Sequence, residues 1–298
     1  MPISKGLVTA VERAVRTGCE GFQIFSSNPR AWAAKPLETE TVALFRRARE
    51  KAGLFPLAVH LPYLPNLASL PSENYEKSVQ VLTEQLIRAD SLGAEFLVAH
   101  PGYASQGQSR ETAVQRIALA VVKAFSNIKE PLYVTFLLEN MSGQRGEMGA
   151  DFEELARIIE AVENQGGRGI PIGVCLDTAH AWGAGYDLAR PKGQDGTLEE
   201  FDRILGLGRL RLFHLNDSLV ERGSRRDRHG APGRGRIGSR GLARLVRHPD
   251  LDHLAGLMET PRMSEEEDLI NMARVMSWRR YRRPQKGGRK GVKSALDS

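Results

Sequence analysis

Six short apolar runs in this chain end in a histidine or an acid, and that recurrence restricts the possible folds more than any other feature. The clearest is the run at 172–176, which stops at Asp177 and has His180 three residues further on. An apolar run of this length, punctuated by glycine, suits a strand buried on both faces. The runs at 56–60, 96–100, 132–139, 210–214 and 254–259 repeat the pattern, closing on His60, His100, Glu139, His214 and Glu259. A seventh strand is expected at 21–25, leading into a polar loop that contains Arg30 and Trp32. Taken singly, Asp177 and His180 suit a helix cap as well as a site. The repetition favours a site.

Between these runs the apolar spacing is helical. Helices are expected over 7–17, 38–52, 73–92, 109–127, 151–163, 197–205 and 264–277. Gly18, Gly53 and Gly93 stop the first three, and Asp151 with Glu154 has the form of a capping box. Strands alternating with helices make a parallel sheet with crossover connections. An open doubly wound sheet gathers its site at one crevice, whereas a closed barrel draws on the end of nearly every strand. The expected class is therefore α/β, a TIM (β/α)8-type barrel. The residues before Leu7 are too few for an eighth strand, so the first strand is expected to be missing or truncated.

Charge divides the chain. Residues 278–298 hold eight Arg or Lys against Asp297 alone, a charge of +7. The total is +6, so residues 1–277 carry about −1. The expected division is a catalytic barrel over 1–277 and a basic, disordered tail over 278–298 that adds nonspecific affinity for a polyanion. A second basic stretch surrounds Asp227, with Arg222, Arg225, Arg226, Arg228, Arg234, Arg236 and Arg240. Local basic clusters on a near-neutral body point to a polyanion touched at defined places. Two cysteines, Cys19 and Cys175, exclude a disulfide framework and suit a reducing cytoplasm. No apolar stretch reaches the roughly 18 residues of a spanning helix, and the start lacks a signal-peptide core.

Five of the seven histidines, His60, His100, His180, His214 and His229, lie at strand ends or in adjoining loops. Glu139, Asp177, Asp227 and Glu259 join them, whereas His248 and His253 read as surface residues. Imidazoles and carboxylates without cysteine suit a catalytic shell of zinc, manganese or iron. Nine donors exceed the needs of one ion and would serve up to three, with a carboxylate bridging two. Clustered divalent ions suit phosphoester hydrolysis.

These residues give the chain a strong resemblance to the endonuclease IV family of zinc-dependent abasic-site endonucleases. It runs from about Ile3 to Thr260 and is carried by Phe22-Gln-Ile-Phe25, His60-Leu-Pro-Tyr63-Leu-Pro-Asn-Leu-Ala68, His100-Pro-Gly102, Leu138-Glu-Asn140, Cys175-Leu-Asp-Thr-Ala-His180, Phe213-His-Leu-Asn-Asp-Ser218, Gly223-Ser-Arg-Arg-Asp-Arg-His229 and Glu259-Thr-Pro261. The resemblance implies three zinc ions, with manganese or iron at some sites. His60, His100 and Glu139 would hold the first, and Glu139, Asp177, His214 and Glu259 the second. His180, Asp227 and His229 would hold the third. It also implies that a metal-bound hydroxide, with Glu139 and Glu259 in the catalytic group, attacks the phosphate 5′ of an abasic site in duplex DNA. The products would be a 3′-hydroxyl and a 5′-deoxyribose phosphate.

In the same family the damaged nucleotide is flipped out, and Arg30, Tyr63 and Leu64 match the inserted side chains. An apolar wedge unstacks a step, and an abasic site has little stacking to lose. Arg225, Arg226 and Arg228 would contact phosphates, and Trp32 would anchor its loop. The chain departs from the family at its start, which lacks the first-strand Ile-Gly-x-His-Val-Ser-like stretch, and in its basic tail. The implied setting is repair of double-stranded DNA by a cytoplasmic, nucleoid-acting monomer of a bacterial or archaeal cell, without a membrane partner. The alternative is a metal-dependent sugar isomerase or epimerase on a related barrel. That chemistry has no use for His180, Asp227 and His229 among arginines and would need a poised proton-transfer base.

Overall fold

Alternate side chains along a strand point to opposite faces, and here the two faces bury into two different cores. The computed structural model describes residues 1–261 and 264–280. In chain order the elements are α1 (Leu7–Arg16), β1 (Phe22–Ile24), α2 (Thr39–Ala52), β2 (Leu57–His60), α3 (Glu73–Ser91), β3 (Phe96–Ala99), α4 (Arg110–Ser126), β4 (Thr135–Glu139), α5 (Phe152–Val162), β5 (Ile172–Asp177), α6 (Thr178–Ala184), α7 (Pro191–Leu205), β6 (Leu210–His214), β7 (Asp217–Ser218), β8 (His229–Gly230), α8 (Gly238–Val246), β9 (Ala255–Leu257) and α9 (Glu265–Arg280). Seven strands form one parallel sheet in the order β1-β2-β3-β4-β5-β6-β9. Phe22, Ile24, Leu57, Val59, Leu97, Phe136, Leu138 and Leu176 pack outward beneath the helices. Ala58, Val98, Leu137, Cys175, Leu212 and Leu257 pack together in the interior. This is the layered filling of a barrel.

The expected alternation of strands and helices is present, and so is the shortage of one strand. Among the described residues β1 and β9 do not pair with each other. A cavity of about 820 Å³ lies along that seam, lined by Met1, Gln23 and Leu257 as well as by His60, His100 and His229. The Met1 amine donates to the Gln23 carbonyl on the open edge of β1. Burial lowers that amine to about 6, as expected for a cation placed where a sheet amide would sit.

Several expectations are corrected at their edges. β4 starts at Thr135 rather than 132: Tyr133 is 91% exposed, and its N–H donates to Asp90 Oδ1 instead of a ladder. Glu259 lies two residues past β9. α7 begins six residues earlier than expected, with Pro191 in its first turn, where no N–H partner is needed. α6 and the ribbon β7–β8 had no expectation, and α8 had no expected bounds. In α8 two glycines weaken the local helical signal, and burial of Leu242 and Leu245 decides it. His248, expected at the surface, has a side chain only 11% exposed and lies 3.8 Å from both Asp195 and Asp250. Helix α9 runs through the expected boundary at 277 and 278, and Arg279 pairs with Glu20. The rest of the tail, 281–298, lies outside the described residues.

The capping box on α5 is half built. Asp151 Oδ1 accepts from the Glu154 N–H at 2.7 Å, but the buried Glu154 carboxylate turns away. It takes Arg110 through both oxygens and the Gly149 N–H. Arg110→Met is therefore expected to cost about 2–3 kcal/mol, since it strands a buried carboxylate. Thermal unfolding of the variant checks this.

Candidate metal centre

The inward parity of the strands carries straight into the site. Six of the seven buried interior residues are followed two positions later by a metal-capable group. Ala58 leads to His60, Val98 to His100, Leu137 to Glu139, Cys175 to Asp177, Leu212 to His214 and Leu257 to Glu259. Period-two geometry thus stacks a ring of donors on the interior core, at the carboxyl ends of the strands. The donors resolve into three overlapping groups: His60, His100 and Glu139; Glu139, Asp177, His214 and Glu259; and Asp177, His180 and His229. Within each group the ligand atoms lie within 4.8 Å of one another.

The third set comes from local structure beyond the sheet. Asp177 caps α6, its Oδ1 accepting from the His180 N–H at 2.8 Å. Its Oδ2 lies 3.5 Å from His229 Nε2 and 3.9 Å from His214 Nδ1. The helix cap thus occupies one oxygen of Asp177, and the other is left facing His229 and His214. Helix α6 also holds the basic loop: Arg225 N–H donates to the Gly183 carbonyl and Trp182 Nε1 to that of Val220. A Cβ on Gly183 would come within 2.9 Å of the Arg226 carbonyl, so the close approach requires glycine. This packing sets Asp227 3.5 Å from His180 Nε2 and 3.2 Å from His229 Nε2.

Each of four imidazoles has one nitrogen committed to a neutral oxygen. His60 Nδ1 meets the Leu61 carbonyl at 2.7 Å and His180 Nδ1 the Asn140 carbonyl at 2.9 Å. His229 Nδ1 meets the Glu259 carbonyl at 3.3 Å and His214 Nε2 meets Gln23 Oε1 at 2.9 Å. A neutral oxygen acceptor fixes the proton on that nitrogen and turns the lone pair of the other into the cluster. Two of the nitrogens so aimed, His180 Nε2 and His229 Nε2, and the neighbouring Asp227 Oδ1 are buried with no hydrogen-bond partner. Buried polar atoms are seldom left so. Converging unpartnered imidazole and carboxylate donors fit a cation.

The electrostatics point the same way. Burial alone would raise the Glu139 carboxyl, but His214 and His100 outweigh it and hold it well below its ordinary value. Burial would likewise lower His180 and His214, yet both are held well above theirs. Asp177 leads at His180, and Cys175, then Glu139 and Glu259, at His214. Asp227 falls to about 2 against its own burial, chiefly through His180. Four buried or half-buried carboxylates thus share whatever positive charge the site holds, whether protons or metal.

The remaining residues singled out in the sequence lie around the rim of the site. Tyr63 and Leu64 are 59% and 38% exposed, and the Tyr63 ring lies 5.1 Å from Phe25 and 6.2 Å from His60. The Tyr63 N–H donates to the Pro29 carbonyl, which ties its loop to the one carrying the exposed Arg30. Arg225, Arg226 and Arg228 are exposed beside the third group. Trp32 packs partly buried against the core.

Two site residues had no assigned role in the sequence. Asn140 accepts from the Asp177 N–H at 2.6 Å and donates to its carbonyl at 3.2 Å. Asn216 donates to Asp177 Oδ2 at 2.6 Å and accepts from the Glu259 N–H at 2.7 Å. These amides lock the ligand backbones. The available signal was an asparagine one or two residues after a strand-terminal ligand.

A family model described as a xylose isomerase-like TIM barrel matches residues 11–279. A probable endonuclease 4 of Methanoculleus marisnigri is 40% identical over 273 residues, covering 92% of this chain and 95% of that one. One from Halothermothrix orenii is 36% identical, with 91% and 96% covered. The crystal structure of endonuclease IV from Thermus thermophilus superposes with a TM-score of 0.81 at 36% identity, covering 93% and 96%. A D-tagatose 3-epimerase-like protein, 18% identical with a TM-score of 0.67, shares the fold alone. With these likenesses spanning nearly its whole length, the chain belongs to the endonuclease IV family of xylose isomerase-like TIM barrels.

Proposed function

We propose that this protein is a DNA-repair endonuclease that hydrolyses the phosphodiester 5′ of abasic sites in duplex DNA, using three divalent cations, zinc in the first place. The observation that carries this is the convergence of eight donors from separate elements into three overlapping groups, with Asp227 3.5 Å from His180 and 3.2 Å from His229 and unpartnered lone pairs facing one another. His60, His100 and Glu139 would hold one ion, and Glu139, Asp177, His214 and Glu259 a second. His180, Asp227 and His229 would hold the third, with Asp177 close enough to share it. When bound, such ions polarise phosphoryl oxygens, ionise water near neutral pH and neutralise the leaving oxyanion. The four carboxylates carry four negative charges, which three divalent ions exceed by two. The loaded site is therefore attractive to a phosphate.

The chain's own side chains would bind and orient the DNA. Tyr63 and Leu64 are exposed on a loop tied to that of Arg30, where they can fill the gap left by a missing base. Arg225, Arg226 and Arg228 would grip the backbone beside the third group, and Arg228 also donates to the Asp227 carbonyl at 2.6 Å. Changing all three to alanine is expected to lower DNA affinity across sequences and reduce the slope of log K against log salt by about two to three. Binding measured at several salt concentrations checks this. On this reading the enzyme works as a monomer in the cytoplasm of a bacterial or archaeal cell. Among the described residues no helix is long and apolar enough to cross a membrane.

The test is a nicking assay on a duplex with a single tetrahydrofuran abasic analogue, with and without chelator. Cleavage on the 5′ side that chelator abolishes and zinc restores is the expected outcome. Sugar isomerisation without nicking would overturn the assignment.

A further inference from the structure

We infer that Gln23 is a positioning residue of the metal centre: one side-chain amide on β1 orients the His214 ring and the Glu259 carboxylate together. The inference rests on the proposal that these groups bind divalent cations. Gln23 Oε1 lies 2.9 Å from His214 Nε2, and Gln23 Nε2 donates to Glu259 Oε1 at 2.7 Å. A carboxamide is the neutral side chain that accepts at one atom while donating at the other. The reverse orientation would set its oxygen against a carboxylate and its NH2 against the imidazole. The network therefore assigns the amide, and with it the tautomer.

Two consequences follow for the second group. Accepting from His214 Nε2–H leaves the His214 Nδ1 lone pair facing Glu139 Oε1 at 2.9 Å and Glu259 Oε2 at 3.2 Å. Donating to Glu259 Oε1 holds a carboxylate that lies two residues beyond the end of β9. The amide thus ties the two edge strands of the open sheet through their site residues. The sequence carries the signal for this role. Phe22 and Ile24 are 2% and 1% exposed and pack outward, so the residue between them faces the barrel interior. A polar side chain at that inward position needs partners.

The test uses the full chain with Gln23→Leu and Gln23→Glu, titrated with Co2+ against a competing chromophoric chelator. The visible Co2+ spectrum and thermal unfolding are recorded in parallel. Gln23→Leu is expected to lose about 10- to 100-fold in affinity for one ion of the set, with an altered spectrum for that ion and the others unchanged. Gln23→Glu keeps an acceptor for His214 but puts a second carboxylate against Glu259. Its deficit relative to the wild type should therefore shrink as pH falls, because a protonated carboxyl regains the donor. That pH signature separates positioning from mere packing, and it can be read even if Gln23→Leu does not fold. A folded Gln23→Leu with wild-type affinities and spectrum overturns the inference, as does a Gln23→Glu deficit independent of pH. Failure of the wild-type chain to bind Co2+ overturns the metal reading beneath it too.

Discussion

Glu139→Gln is expected to lower turnover on an abasic duplex by on the order of 10³-fold while leaving the chain folded. Glu139 sits fully buried at the hub of the site. Its Oε2 lies 3.2 Å from His60 and 3.3 Å from His100, and its Oε1 lies 2.9 Å from His214 and 3.3 Å from His180. It is the one carboxylate common to the first two donor groups. The amide has the same size, so packing survives, but it loses the charge and one accepting oxygen that two cations would share. Metal-ion stabilisation of a phosphoryl transition state amounts to several kcal/mol, and each 1.36 kcal/mol is tenfold in rate. Metal content should fall with the rate. A Glu139→Gln protein with full metal content and full activity would remove Glu139 from the centre.

Metal removal should have an effect that grows with pH. In the metal-free chain His60, His180 and His214 are raised above the ordinary histidine value of 6.5, against their burial. Groups raised on folding stabilise fully below that value, and the contribution is lost as pH rises through their folded values. Glu139 and Glu259 are lowered below the ordinary 4.5, again against burial. Their contribution is present above that value and is lost as pH falls through the lowered ones. The metal-free site is therefore most favourable between about 4.5 and 6.5. Cations need the histidines deprotonated, so binding releases protons and tightens with pH. At a thousandfold excess over Kd, binding adds about 4 kcal/mol, or roughly 10 °C in Tm for a chain of this size. Unfolding with and without chelator between pH 5 and 8.5 should show a gap that widens upward. A gap of equal size at every pH would contradict this account.

Much of this site could be read before folding because a strand end is a local feature. An apolar run that stops at His60, His100, Glu139, Asp177 or His214 announces both the strand and the donor at its end. Asp227 and His229 were visible through their spacing and their arginines, although the ribbon β7–β8 that carries His229 was not. Boundaries failed where tertiary contacts overrode local pattern. Tyr133 looks like strand but is drawn out by Asp90, and α8, with two glycines, is held by burial of Leu242 and Leu245.

The sequence by itself determined the alternation of strands and helices and the set of nine donors. Both depend on residues close together in the chain. Only the tertiary structure decided which donors meet: that Glu139 serves two groups, that Asp177 gives one oxygen to a helix and the other to the site, and that Gln23 spans His214 and Glu259. Those partnerships join residues as far apart as 23 and 259. They depend on strand order and register, where a slip of one residue would turn every inward side chain outward.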